Sequence, residues 1–197
     1  MSPHEDPHRR VLPPGQRLST SLRAKHYGRV PRMHLDTWTL SLTGATASGS
    51  TTVLTLEEVR ALPRATVRGD LHCASKWSVP DLSWGGVLVR TLLDAVPPAP
   101  DVTHVLAFAE YGYSATLRIE DVASPRAVVA DELDGEPLTP EHGYPLRLVV
   151  PHLYGFKGPK WLRGLEYLRQ PVRGFWEQRG YHVVGDAWRE ERYAYQE

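Results

Sequence analysis

LDGEPLTPEHGYPLRLVVPHLYGFKGPKWLRGLE, from Leu133 to Glu166, sets turn, strand and loop signals in close succession. Asp134-Gly135 is a tight-turn dipeptide, because glycine reaches positive φ at no steric cost. Leu146 to Val150 is an apolar run closed by Pro151, which predicts a short buried strand. His152 to Lys160 then carries two glycines, a proline and two lysines, and reads as a loop. Trp161 to Leu168 alternates and returns as a strand. Short strands reversing through turns, without regular strand–helix–strand crossovers, predict an α+β fold with mixed sheets and short helices.

Working outward, Trp38 to Thr43 alternates apolar and polar up to Gly44, the mark of a strand. Thr55 followed by Glu58 is a capping box that opens a helix over Leu56 to Leu62, stopped by Pro63. Thr66 to His72 reads as extended, and the SVPDLSWGG segment after Trp77 reads as turn-rich. Val87 to Val96 carries Leu88, Leu92 and Val96 at helical spacing before Pro97-Pro98. His104 to Ala109 and Ala127 to Leu133 are expected as buried strands. The tail from Gly174 is aromatic and charged. Residues 1–22 are polar and proline-rich and are expected to form a flexible or surface-wrapping arm, leaving 23–197 as one domain.

Composition excludes several classes. The chain has 197 residues, 41% of them hydrophobic, enough for one proper core. Its 23 basic and 23 acidic residues balance, so no net field recruits nucleic acid or an anionic membrane. No apolar run approaches the ~18 residues of a membrane span, and no secretory signal opens the chain. A cytoplasmic protein is the expectation. No Gly-x-Gly-x-x-Gly follows a strand and there is no Walker loop, so a nucleotide fold has no support.

Two places carry chemistry. Cys73, in HCASKWS (His72 to Ser78), is the only cysteine. A lone thiol is either a small buried hydrophobe or a soft ligand and nucleophile. The histidines are too scattered for ordinary zinc spacing, and no local nucleophile signature marks a cysteine hydrolase. The second place is His142-Gly-Tyr-Pro-Leu-Arg147 together with Gly158-Pro159-Lys160. Arginine, lysine and a glycine-bearing turn make a phosphate cradle, although a solvated basic loop has the same composition.

These residues resemble the molybdopterin-binding domain of the sulfite oxidase family, which includes plant-type nitrate reductases and bacterial methionine-sulfoxide reductase catalytic subunits. The likeness runs from about His26 to Tyr181. It is strongest in LHCASKW (Leu71 to Trp77), in Leu133 to Glu166, and in GFWEQRGY (Gly174 to Tyr181). The resemblance implies a molybdenum–molybdopterin cofactor with Cys73 as the thiolate ligand of the metal. It implies that His142, Arg147, Gly158, Pro159 and Lys160 hold the pterin and its phosphate. Lys25, His26 and Tyr27 match a further cofactor-contacting stretch, and Glu110 falls near another contact. Tyr181 coincides with the tyrosine that stands beside the metal in sulfite oxidases.

The departures bear on substrate. A family arginine that helps hold anionic sulfite falls on Ala24 or Lys25 here, and basic residues after the ligand cysteine are matched by Trp77 and Ser78. The expected function is two-electron oxygen-atom transfer to or from a small substrate, an S-oxide or N-oxide in preference to sulfite. A non-catalytic molybdopterin carrier and a cysteine hydrolase are the alternatives. With no haem, flavin or iron–sulfur motif in the chain, electrons must pass to or from a separate partner protein. The family's dimerisation domain is not expected here, which leaves the oligomeric state open.

Overall fold

The computed structural model describes residues 11–197, so positions 1–10 of the expected arm lie outside the described residues. Strand β1 (Arg17–Leu18) comes first, followed by β2 (Thr39–Gly44), β3 (Thr52–Thr55), α1 (Leu56–Ala61), β4 (Arg64–Cys73) and β5 (Trp77–Leu88). Then come α2 (Val89–Ala95), β6 (His104–Ala109), β7 (Ser114–Arg118), α3 (Ile119–Val122), β8 (Val128–Leu133) and β9 (Glu136–Pro137). β10 (Arg147–Val149) and β11 (Leu162–Leu168) complete the set. The fold is α+β, as the short strands and turns predict. No helix among the described residues is long and apolar enough to cross a membrane.

One sheet runs β3-β2-β11-β6-β7, with β11 parallel to β2 and antiparallel to β6. The other is built on the long β4–β5 hairpin, to which β8, β10, β9 and β1 add. Alternation explains the packing. Leu40 and Leu42 of β2, Val105 and Ala107 of β6, and Leu165 of β11 meet Val129 and Leu148 in one core between the sheets. Val128, Ala130 and Val149, one residue out of phase, face a second core with Val67, Leu82 and Trp84. Both faces of β8 are therefore buried, which is why it reads as a continuous apolar run.

The capping box forms as expected: the Thr55 hydroxyl accepts from the Glu58 N–H at 3.2 Å, and the Thr55 N–H donates to Glu58 Oε2 at 2.7 Å. Asp134 and Gly135 take φ of 54° and 85° in the reversal between β8 and β9. Two expectations are corrected. SVPDLSWGG is not a turn-rich connection but part of β5, and α2 begins at Val89 instead of Val87. Pro80 and Asp81 oppose Asp70 in a bulge, where a missing N–H costs no ladder bond. Gly86 is there because a Cβ would come within 2.1 Å of the Val129 carbonyl oxygen.

The described part of the arm lies against the domain. β1 pairs in parallel with Trp77 and Ser78, and the Gln16 amide donates to the Cys73 carbonyl at 3.2 Å. Backbone pairs and a few scattered side-chain contacts leave no hydrophobic period, so composition alone gave no sign of them.

Candidate active site

β4 delivers Cys73 to the end of the hairpin, and Ala74-Ser75-Lys76 turns the chain into β5. Lys76 sits at φ 68° and its N–H donates to the Cys73 carbonyl at 3.0 Å. Side chains alternate along a strand, so Cys73 faces away from its buried neighbour His72, whose Nδ1 pairs with Ser78 Oγ at 2.8 Å. Half-buried Cys73 lines a cavity of about 530 Å³. Tyr181, Lys25, His26, Tyr27, Glu110, His142, Arg147 and Lys160 line the same cavity. Residues spread from position 25 to position 181 are thus brought to one wall.

Gly158 and Pro159 are not on that wall. A Cβ at Gly158 would meet the Leu148 carbonyl oxygen at 2.5 Å, and the Leu148 N–H donates to the Pro159 carbonyl at 2.9 Å. The glycine permits close approach to β10, not to a ligand. Lys160, one residue further on, is the part of that turn that reaches the cavity.

The cationic end of the cavity is unusual. Arg147 is buried and donates one guanidinium hydrogen bond, to the His142 carbonyl at 3.1 Å. Its plane lies 5.0 Å from the Trp84 ring, its Nε has no acceptor, and no carboxylate pairs with it among the described residues. Burial pulls the guanidinium down to about 10 from its ordinary value. Lys160 donates to the carbonyls of Lys25 and Glu141, both at 2.8 Å. Burial first, and then the charge on Arg147, bring its ammonium down to about 7. Two neighbouring desolvated cations with no carboxylate in direct contact are costly, and the more distant charge of Glu141 only partly offsets the burial of Lys160. A phosphate between them would supply the missing acceptors, so the residues present fit the pterin phosphate.

The remaining expected residues divide by role. His142 Nε2 lies 3.2 Å from the Leu22 carbonyl, which only accepts, so Nδ1 accepts from Thr139 Oγ1 at 2.9 Å. Both ring nitrogens are committed within the protein, and His142 acts as a brace for the segment leading to Lys25. Lys25 Nζ donates to Ser75 Oγ at 3.0 Å, tying that segment to the cysteine turn. His26 packs edge-on to Trp161 at 5.6 Å, exposed Tyr27 lies 4.7 Å from Phe175, and Glu110 pairs with Arg163 at 3.3 Å.

Tyr181 is enclosed by rings: Phe156 at 5.0 Å, Trp176 at 5.2 Å and Tyr193 at 5.6 Å between centroids. Burial, with smaller contributions from Tyr193 and Cys73, holds its hydroxyl above its ordinary value. The phenol therefore stays protonated at neutral pH and can donate a hydrogen bond.

Beneath this cage, Lys157 Nζ donates to Glu177 Oε1, a fully buried ion pair that sequence reasoning passed over. The signal was there in Lys157 of the loop and Glu177 of GFWEQRGY, but nothing in their spacing joined them. Among the described residues no histidine pairs with the Cys73 thiol, so none of them serves the hydrolase alternative as a base. No cluster of histidine, cysteine and carboxylates suited to a metal ion forms among them either.

The cavity and the two cations at its end fit an anion-bearing cofactor. The sequence profile of the oxidoreductase molybdopterin binding domain matches residues 27–176, most of the chain. The chain belongs to this family, the sulfite-oxidase type of molybdenum–molybdopterin oxidoreductase. It is 37% identical to the oxidoreductase YuiH of Bacillus subtilis over 93% of this chain and 92% of that one. It is 30% identical to the protein-methionine-sulfoxide reductase catalytic subunit MsrP of Gluconobacter oxydans, over 72% of this chain. It is 27% identical to the sulfite oxidase of Arabidopsis thaliana, over 81% of this chain. The chain spans about half the length of the latter two, 50% and 49%. Among solved structures, the sulfane dehydrogenase SoxCD of Paracoccus pantotrophus shares the fold, with a TM-score of 0.72 at 22% identity over 83% of this chain and 47% of that one.

Proposed function

We propose that this domain moves an oxygen atom to or from a small neutral substrate, an S-oxide or N-oxide, in preference to sulfite. When bound, the molybdenum–pterin group supplies the two-electron couple and the oxygen-atom exchange. Arg147 and Lys160 would hold its phosphate through charge-assisted hydrogen bonds. The Cys73 thiolate would be the soft protein ligand to the metal. Tyr181 would present its O–H to the substrate oxygen, and the surrounding rings would keep water away.

The observation that carries this reading is the set of rings around Tyr181, in a cavity that Trp77 also lines. A doubly charged anion needs fixed cations, which arginine supplies best through a planar fork. Buried Arg147 and half-buried Lys160 stand at the phosphate end. Arg23 and Lys25 line it as well, but both are exposed, and Lys25 is engaged with Ser75. An aromatic wall with one neutral donor suits a sulfoxide better than sulfite. The similarity to the MsrP of Gluconobacter oxydans points the same way, while that to a sulfite oxidase keeps sulfite as the competitor to test.

Electrons would be exchanged with a separate partner protein, because the chain has no motif for a second redox centre. A cytoplasmic setting remains part of the reading, supported by the single cysteine. The test is steady-state kinetics of the loaded protein with artificial electron carriers. Neutral sulfoxides and N-oxides should turn over with higher kcat/KM than sulfite. Efficient sulfite oxidation with the neutral oxides inert would overturn the assignment.

A further inference from the structure

The turn that carries Cys73 is held from outside the family's matched region. Its carbonyls are taken one after another by residues from the two ends of the chain. The Cys73 carbonyl accepts from the Gln16 amide at 3.2 Å, the Ala74 carbonyl accepts from Arg192 Nη1 at 3.0 Å, and the Lys76 carbonyl accepts from the Arg17 N–H at 3.0 Å. Gln16, Arg17 and Arg192 all lie beyond residues 27–176.

Arg192 is the centre of this arrangement. It is 2% exposed, its second terminal nitrogen donates to the Pro14 carbonyl at 3.0 Å, and its plane lies 4.8 Å from the Tyr154 ring. One guanidinium therefore joins the N-terminal segment to the cysteine turn. A planar fork holds its donors in fixed directions, which the freely rotating ammonium of a lysine does not. Gly15 fits against it at φ 67°, where a Cβ would meet Glu190 Oε1 at 2.6 Å and Arg192 Nη2 at 3.1 Å.

We infer that Arg192 and Gln16 are positioning residues for the Cys73 thiolate, fixing the turn backbone and with it the direction of Sγ into the cavity. The inference rests on the reading of Cys73 as the metal's ligand, and its test separates the two. Removing Arg192 leaves the Ala74 and Pro14 carbonyls without a charged donor, which frees the turn to open locally.

The experiment uses Arg192→Met, Arg192→Lys and Gln16→Met. The first readout is the rate of Cys73 alkylation by iodoacetamide in cofactor-free protein, with folding checked by circular dichroism and thermal melting. The second is the sulfur-to-metal charge-transfer spectrum of loaded protein. Arg192→Met should raise the alkylation rate about tenfold or more, the scale of losing a charged hydrogen bond, and shift the spectrum. Arg192→Lys, which keeps the charge but not the fork, should rescue thermal stability and leave most of the faster alkylation. Gln16→Met should show a smaller change of the same sign, and it decides the matter should Arg192→Met fail to fold. Folded variants with wild-type alkylation rates and wild-type spectra would overturn the inference. Faster alkylation with no Cys73-dependent band in the wild-type spectrum would instead sink the ligand assignment and leave the anchoring in place.

Discussion

Arg147 and Lys160 share one end of the cavity, and the charge on the buried arginine helps hold the lysine at about 7. Each is desolvated by the same fold, and each finds only carbonyl oxygens as acceptors. A phosphate brought in from outside the chain would supply the charged acceptor that neither side chain finds within hydrogen-bond reach.

The first prediction concerns pH. The Lys160 ammonium is held at about 7 in the folded state against 10.5 in the ordinary state. Below pH 7 both states carry the proton and the cost of burying it is fully present. As pH rises from 7 towards 10.5, the folded state sheds a proton that the unfolded state keeps, so the cofactor-free protein gains stability. Denaturant midpoints at pH 7 and pH 9 should rise more for wild type than for Lys160→Met. Parallel behaviour of the two would show that Lys160 is not desolvated. Loading the phosphate-bearing cofactor should restore the proton and abolish the difference.

Arg147→Met should affect loading far more than folding. It deletes a buried cation without a carboxylate partner, so the cofactor-free protein should lose no more than about 1 kcal/mol. Cofactor retention should fall about tenfold to a hundredfold, the scale of losing charge-assisted hydrogen bonds to phosphate. Pterin content after gel filtration, set beside the melting curve, checks both. Full occupancy in the folded variant would contradict the cradle.

For the Lys157–Glu177 pair, breaking one side should be worse than removing both. Glu177→Gln strands a buried ammonium and should cost about 3–5 kcal/mol. The double change Lys157→Met with Glu177→Gln should cost less than the sum of the two single changes, as measured by denaturant unfolding in a double-mutant cycle. Because Phe156 and Trp176 flank this pair and pack on Tyr181, the single variant should also raise KM. Additive costs in the cycle would show that the pair is not coupled.

Much of this site was legible in the sequence, for identifiable reasons. Asp134-Gly135 and the Thr55–Glu58 capping box are local devices whose chemistry is complete within a few residues, and both form as read. Arg147 and Lys160 could be named because they sit in one turn-rich stretch of distinctive composition. SVPDLSWGG misled because proline and glycine mark turns as readily as bulges. Only its pairing with β4 on one side and β8 on the other makes it a strand. Gly158 misled for a related reason: what a glycine approaches is a tertiary fact, and here it is the backbone of β10. Arg192 and Gln16 were silent because their contacts span 118 and 57 residues along the chain.

The central claim is that Cys73 binds the metal at the end of the β4–β5 hairpin. Molybdenum K-edge X-ray absorption on loaded wild type and loaded Cys73→Ser tests it most directly. A hydroxyl is a harder and weaker ligand than a thiolate, while the phosphate cradle at Arg147 and Lys160 is untouched by the change. The account predicts that Cys73→Ser keeps bound molybdenum and pterin, loses one sulfur neighbour at the metal and loses turnover. An unchanged sulfur count with turnover retained would contradict it.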